Sequence, residues 1–215
     1  RLPGDMAAVD PTLTRLEAEY EQLGNDLQLW VQDVPDRHPI LDVPLDEQTR
    51  ALDQLSRQKF KTLLEEAWRR ESAQDEESVG EELSHTVQSD TPILGELPQL
   101  NANFNHVTSF ELTGNGTTTG VDGTLRNFKQ LQSLTLTKCS LGTLPESIQY
   151  MPKLSSLAME ECAIRLTPET RGALAHLTQL EFLDLSNNPL GHAPDISSLC
   201  QLASLHLSNA ALSEA

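Results

Sequence analysis

The chain has 215 residues, enough for one domain with a real core or a small domain plus an appendage, and carries 32 Asp and Glu against 15 Lys and Arg, a formal net charge of −17. Such acidity repels phosphate backbones and disfavours DNA or RNA as a partner. Three cysteines are too few for a disulfide scaffold, and no run approaches the ~18 apolar residues needed to span a membrane.

No charged-then-apolar leader opens the chain, and it ends on a partial repeat, so both ends read as cuts inside a longer protein. The charge is uneven: residues 1–103 hold 22 acids and 9 bases, whereas 104–215 hold 10 acids and 6 bases. Asp10-Pro11 is a helix start. Apolar residues then fall at Leu13, Leu16, Tyr20, Leu23, Leu27, Trp30 and Val34 in steps of three and four, which predicts one amphipathic helix of roughly six turns. Pro35, Pro39 and Pro44 make 33–45 a loop. A second helix is expected from about Asp46 to Ser72, with Leu52, Leu55, Phe60, Leu63, Leu64, Ala67 and Trp68 on its apolar side. The two helices read as a hairpin occupying residues 1–72. An acidic linker, poor in apolar residues, follows at 73–82.

Residues 83–215 repeat themselves on the pattern L-x-x-L-x-L-x-x-N/C-x-L. The units are Val107-Phe110-Leu112-Asn115, Leu131-Leu134-Leu136-Cys139-Leu141, Leu154-Leu157-Met159-Cys162-Ile164, Leu180-Leu183-Leu185-Asn188-Leu190 and Leu202-Leu205-Leu207-Ala210-Leu212, in steps of 24, 23, 26 and 22 residues. A weaker unit with Val87 and Leu94, then Leu97-Pro98, precedes them. Each L-x-L is a short strand of period two. Stacked units bury their leucines only against neighbouring units and form a parallel sheet. The expected fold is therefore α/β: a leucine-rich-repeat solenoid with a parallel sheet on its concave face, preceded by an α-helical hairpin that caps its end. Leu144-Pro145-Glu146-Ser147-Ile148 reads as extended or a single turn. Thr167-Pro168-Glu169 reads as an N-cap, which predicts a short helix over 168–176 and explains the 26-residue step.

Several chemical motifs dissolve into this repeat. Gly114-x-Gly116-x-x-x-Gly120 follows a strand as a dinucleotide-binding loop would, but the next acid after Asp122 is Glu146 and a repeat strand arrives at Leu131 instead. Asn115-Gly116-Thr117 is a glycosylation sequon, yet Asn115 is assigned to a buried turn slot. Cys139 and Cys162 share one slot in adjacent repeats without further ligands at metal spacing, so they read as reduced structural thiols. Cys200 is expected in the core of a convex stretch, with no histidine forced within reach. No metal, no cofactor and no small-molecule substrate is expected, and the fragment carries no catalytic constellation. Function is assigned to the concave column, whose members include Ser109, Ser133, Ser156 and Ser204. Within it, Glu111, Thr135, Glu160, Phe182, Asp184 and His206 are the candidate binding residues. Phe182 is a large aromatic where the pattern asks only for a solvent-facing side chain, and aromatics are favoured anchors. The acids leave the face mildly negative and suited to a basic partner surface.

Leu141-Gly-Thr-Leu-Pro-Glu-Ser-Ile, Phe104-Asn-His-Val-Thr-Ser-Phe-Glu-Leu and Leu183-Asp-Leu-Ser-Asn-Asn-Pro-Leu resemble bacterial repeats with an L-x-x-L-P signature. Ala67-Trp-Arg-Arg and Leu94-Gly-Glu-Leu-Pro are similar to the segment before the repeats in bacterial effectors of the IpaH and SspH type. Those proteins end in a novel-E3-ligase (NEL) domain. The resemblance implies a secreted bacterial protein acting in the host cytoplasm, whose repeats select a host protein and restrain a cysteine-dependent ubiquitin ligase. None of Cys139, Cys162 and Cys200 lies in a Cys-x-Asp context, so no catalytic residue carries over. Two readings stay open: recognition of a host target, or a repeat domain that packs on another domain of its own parent.

Overall fold

The computed structural model describes residues 10–72 and 85–213, with the side chains of 70–72 left aside. The acidic segment expected at 73–82 lies outside the described residues. In chain order, helix α1 (Pro11–Gln32) and helix α2 (Glu47–Ser72) precede strand β1 (Thr86–Ser89) and strand β2 (Ser109–Thr118). A short helix α3 (Val121–Leu125), strand β3 (Ser133–Cys139) and a 3-10 turn (Glu146–Tyr150) follow. Strands β4 (Ser156–Glu160), β5 (Phe182–Asp184) and β6 (Ser204–His206) complete the order. All six strands form one parallel sheet in the order β1-β2-β3-β4-β5-β6.

The sheet follows from the repeat. Phe110, Leu134, Leu157, Leu183 and Leu205 stand in one register row. The first four are buried, each at most 1% exposed. The intervening residues point to the concave side and are partly exposed. At the convex end of the first turns Phe128 stacks on Phe104 (4.6 Å between centroids) and meets Phe110 edge-on (5.3 Å). Lys138, Glu161, Asn187 and Asn209 all have φ between 52° and 60°. Each stands immediately before the residue in the N/C slot, and after β4 and β6 a second left-handed residue, Ala163 or Ala211, follows the slot. For non-glycine residues this conformation is costly, and it persists because the ladder on both sides fixes it.

The first full repeat departs from this rule. In the expected alignment Asn115 fills its slot, but the residue paired with Cys139 is Thr118. The register jumps from Thr113 to Thr118. The three added residues form a bulge through Gly116 (φ 88°), and Asn115 is exposed on it. Thr118 does the slot's work by donating its hydroxyl to Ile93 O (2.8 Å). Gly114 makes the detour fit, since a Cβ there would lie 2.6 Å from Lys138 O. In the weak leading unit Val87 is buried as expected, but Ile93 rather than Leu94 enters the core.

Two further expectations are corrected. Residues 168–176 form successive turns, not a helix. Thr167 does cap the segment, its hydroxyl accepting from Thr170 N (3.2 Å). Beyond it the bonds are mostly of the i to i+3 kind, such as Ala173 N to Thr170 O and Ala175 N to Gly172 O, and Gly172 in the middle weakens any helix. Cys200 is exposed, because the neighbouring Leu199 takes the core position.

Both helices begin as the sequence predicts, with Asp10 accepting from Thr12 N (2.9 Å) and Asp46 from Thr49 N (2.7 Å). The buried stripe of α2 is Asp53, Arg57, Phe60, Leu64, Ala67 and Trp68, and it leaves Leu52 and Leu55 on the exposed side. Arg57 donates to Asp53 (3.0 Å), Trp30 O (2.7 Å), Asp33 O (3.0 Å) and Leu94 O (2.9 Å). Asp53 accepts from Leu94 N (2.9 Å). One buried ion pair thus ties both helices to the first turn of the solenoid. Trp30 Nε1 to Glu96 O (2.8 Å), His106 Nε2 to Ala67 O (2.6 Å) and Asn103 N to Glu19 (2.7 Å) complete the seam. The hairpin therefore covers the β1 end of the sheet. At the other end, β6 pairs with β5 alone among the described residues, and Leu205 is 39% exposed.

Candidate functional site

The concave face is set by register. Its central row runs Gln88, Glu111, Thr135, Ala158, Asp184, His206, one residue per strand. The row beside it runs Thr86, Ser109, Ser133, Ser156, Phe182, Ser204. Glu160 stands opposite Thr137, one row to the other side. Four of the six candidate residues are thereby brought together. The Phe182 ring lies 5.3 Å from the His206 ring at a 41° tilt, and Glu160 on β4 and Asp184 on β5 are near enough to shift each other's titration. Thr135 and Glu111 share the central row with Asp184, but Ala158 on β4 intervenes before Thr135, and Glu111 is one strand farther still.

The two acids do not behave alike. The Asp184 carboxylate, as an acceptor for the protonated Glu160 and then through its charge, raises the pKa of Glu160 above the ordinary carboxylate value; partial burial and Glu161 add to the rise, and His206 opposes it. Burial pushes Asp184 upward too, but the Ser186 hydroxyl and amide, Glu160 and His206 outweigh it and hold Asp184 below its usual value. Its Oδ1 accepts from Ser186 N at 2.9 Å. The pair therefore favours a state in which Asp184 is ionised and Glu160 keeps its proton longer on titration. The group presents an aromatic surface beside two carboxyl groups and an imidazole.

The support under this cluster lies in the N/C slot. Asn188, 1% exposed, accepts from Cys162 N (2.9 Å) and Ile164 N (3.2 Å). It donates to Met159 O (2.6 Å), Leu185 O (2.9 Å) and Ser186 O (3.1 Å). It joins the turns that follow β4 and β5, the strands carrying Glu160 and Asp184. Ser186, placed on the concave column by the pattern, is instead buried under Asp184. Its role was legible only as the residue two positions on, where an aspartate side chain habitually bonds.

A cleft of about 670 Å³ opens at the joint of cap and solenoid. Leu29, Trp30, Asp33, Pro35 and Arg57 line it, and the Arg57 guanidinium there is engaged by the chain's own carbonyls. Among the described residues no three His, Cys, Asp or Glu side chains are grouped to hold a metal, and no helix is long and apolar enough to cross a membrane.

The family model of the leucine-rich repeat matches residues 130–151 and 179–202, the β3 and β5 turns. The chain folds as a leucine-rich-repeat solenoid. Its N-terminal helices are part of the likeness to a solved structure, the leucine-rich repeat domain of the type III effector XCV3220 (XopL). That domain is similar over 96% of this chain and 74% of its own, at 19% sequence identity and a TM-score of 0.50. No curated protein matches the chain. A leucine-rich-repeat solenoid of this kind presents an extended surface of the sort that binds other proteins.

Proposed function

We propose that the chain is the target-recognition module of a bacterial effector, binding a host protein through the concave face. The carrying observation is the convergence of Phe182, His206, Asp184 and Glu160 on adjacent turns. Phe182 supplies apolar area, and the acid pair supplies a fixed acceptor for a basic or hydrogen-bonding group of the partner. Thr135 and Glu111 extend the same face toward the cap and contribute rim contacts. In this reading 1–72 is a helical cap, 73–82 a connection and 83–215 the binding module. The likeness to an effector domain supports delivery into a host cell. The repeat wording supports a parent that carries a cysteine-dependent ubiquitin ligase of the NEL type.

The test is a binding comparison. The purified chain is used to retrieve host proteins, the retrieved protein is made pure, and its dissociation constant is measured for wild type and Phe182→Ala. Truncating a central aromatic anchor is expected to weaken binding by about 2 kcal/mol, with the melting temperature retained. An unchanged constant removes the site. A second reading, packing against another domain of the same parent, is favoured by the same small hydroxylic face. It wins if the chain retains no host protein yet binds the parent's C-terminal region.

A further inference from the structure

The bulge in β2 places an Asn-Gly pair where the solenoid has no use for it. Asn115 is exposed, and residues 114–117 stand outside the ladder. A Cβ on Gly116 would meet nothing within 4 Å, so no other part of the chain crowds the side-chain position of this residue. The next residue is the opposite. Thr117 is 5% exposed, and its hydroxyl accepts from Gly95 N at 3.4 Å. From that fixed position it donates twice to the Asn115 side chain. Its backbone N–H reaches Oδ1 at 3.0 Å and its hydroxyl at 2.7 Å.

These two donors aim at the oxygen that turns negative when the Asn115 carboxamide is attacked. The ring closed by Thr117 N and Asn115 Oδ1 encloses both the carboxamide carbon and the Gly116 nitrogen, so it folds the electrophile toward the nucleophile. Donors preset on a developing oxyanion lower its barrier. We propose that Asn115 is a site of spontaneous deamidation, converted through a cyclic imide with the Gly116 nitrogen to aspartate and isoaspartate, with Thr117 assisting.

The step balances without an added enzyme. The Gly116 amide gives its proton to water or hydroxide, and its nitrogen bonds to Asn115 Cγ. The carbon–nitrogen bond of the carboxamide breaks and ammonia leaves with a proton. Water then opens the imide at either carbonyl. The product adds a negative charge just beyond Glu111 and Thr113 on β2, among residues that pair in register with neither β1 nor β3. The intact chain thus acquires a second, more acidic form with time.

The experiment is to incubate the purified chain at neutral pH and physiological temperature and follow each asparagine-containing peptide by mass spectrometry. Isoaspartate is scored by enzymatic methylation. Asn115 is expected to convert well ahead of Asn187 and Asn209, which are also exposed. Thr117→Val, checked for an unchanged melting curve, is expected to slow it several-fold, and Thr117→Ser to restore the rate. Conversion of Asn115 no faster than Asn209 overturns the proposal. A wild-type rate in Thr117→Val overturns it equally, since bare Asn-Gly reactivity would then account for the product.

Discussion

Glu160 and Asp184, on neighbouring strands of the concave face, titrate against each other: Asp184 raises the pKa of Glu160, and Glu160 helps to lower that of Asp184. Two carboxylates side by side repel, so the pair is most at ease when one of them keeps its proton.

The sign of its pH dependence follows. Glu160 has a raised folded pKa, so its contribution to stability is complete below the unfolded value and is lost as pH rises through the folded one. Asp184 is lowered, so its contribution is present above its unfolded value and is lost as pH falls through the folded one. Glu160→Gln mimics the protonated acid. It is expected to stabilise the chain by about 0.5 kcal/mol at neutral pH, the scale of a like-charge pair on facing strands. That advantage should vanish as the pH falls through the carboxylate range. Melting curves of both proteins across pH decide it; a constant offset would show that the carboxyls do not interact.

Removing one member of the Asp53–Arg57 pair leaves the other charged and buried. Arg57 is 2% exposed and its donors hold three carbonyls from α1, the following loop and the first repeat. Arg57→Met is expected to cost about 3–5 kcal/mol and to release the cap first. Amide exchange should rise in α1 and α2 before the sheet, and uniform exchange throughout would contradict the seam.

Asn188→Ala leaves Cys162 N and Ile164 N without their acceptor and three carbonyls without a donor. Chemical denaturation is expected to show a loss of about 3 kcal/mol, several buried groups at about 1 kcal/mol each. Loss under 1 kcal/mol would mean that water takes over the slot.

The three thiols should separate cleanly. Burial, then the neighbouring Cys162, pushes the Cys139 thiol up to about 12 against a backbone contact from Gly114, and burial pushes Cys162 to about 11. Cys200 is exposed. A thiol reagent at mildly alkaline pH is expected to label Cys200 in the folded chain, and Cys139 and Cys162 only on unfolding.

The strands were legible because each turn repeats one sentence of leucines, and period two leaves no choice of which residue faces in. The concave positions of Phe182, Asp184, His206 and Glu160 follow from that alone. Their mutual approach does not, because it depends on how far one strand slides against the next. The Asn115 assignment went astray for the same reason: a linear pattern cannot show that three residues bulge out and Thr118 takes the slot. On α2 the apolar spacing pointed to Leu52 and Leu55, while the buried stripe begins with Asp53 and Arg57. A charged pair used as core is invisible to any reading that looks for leucine.

Asn188 makes the docking cluster a property of two turns at once. Its side-chain amide reaches Met159, Cys162 and Ile164 on one side and Leu185 and Ser186 on the other, so the turns that carry Glu160 and Asp184 should open as one unit. A partner that grips Phe182 and Asp184 on β5 would then slow amide exchange in the turn after β4 as well, and exchange at Cys162 and Ile164 would read its occupancy from a distance.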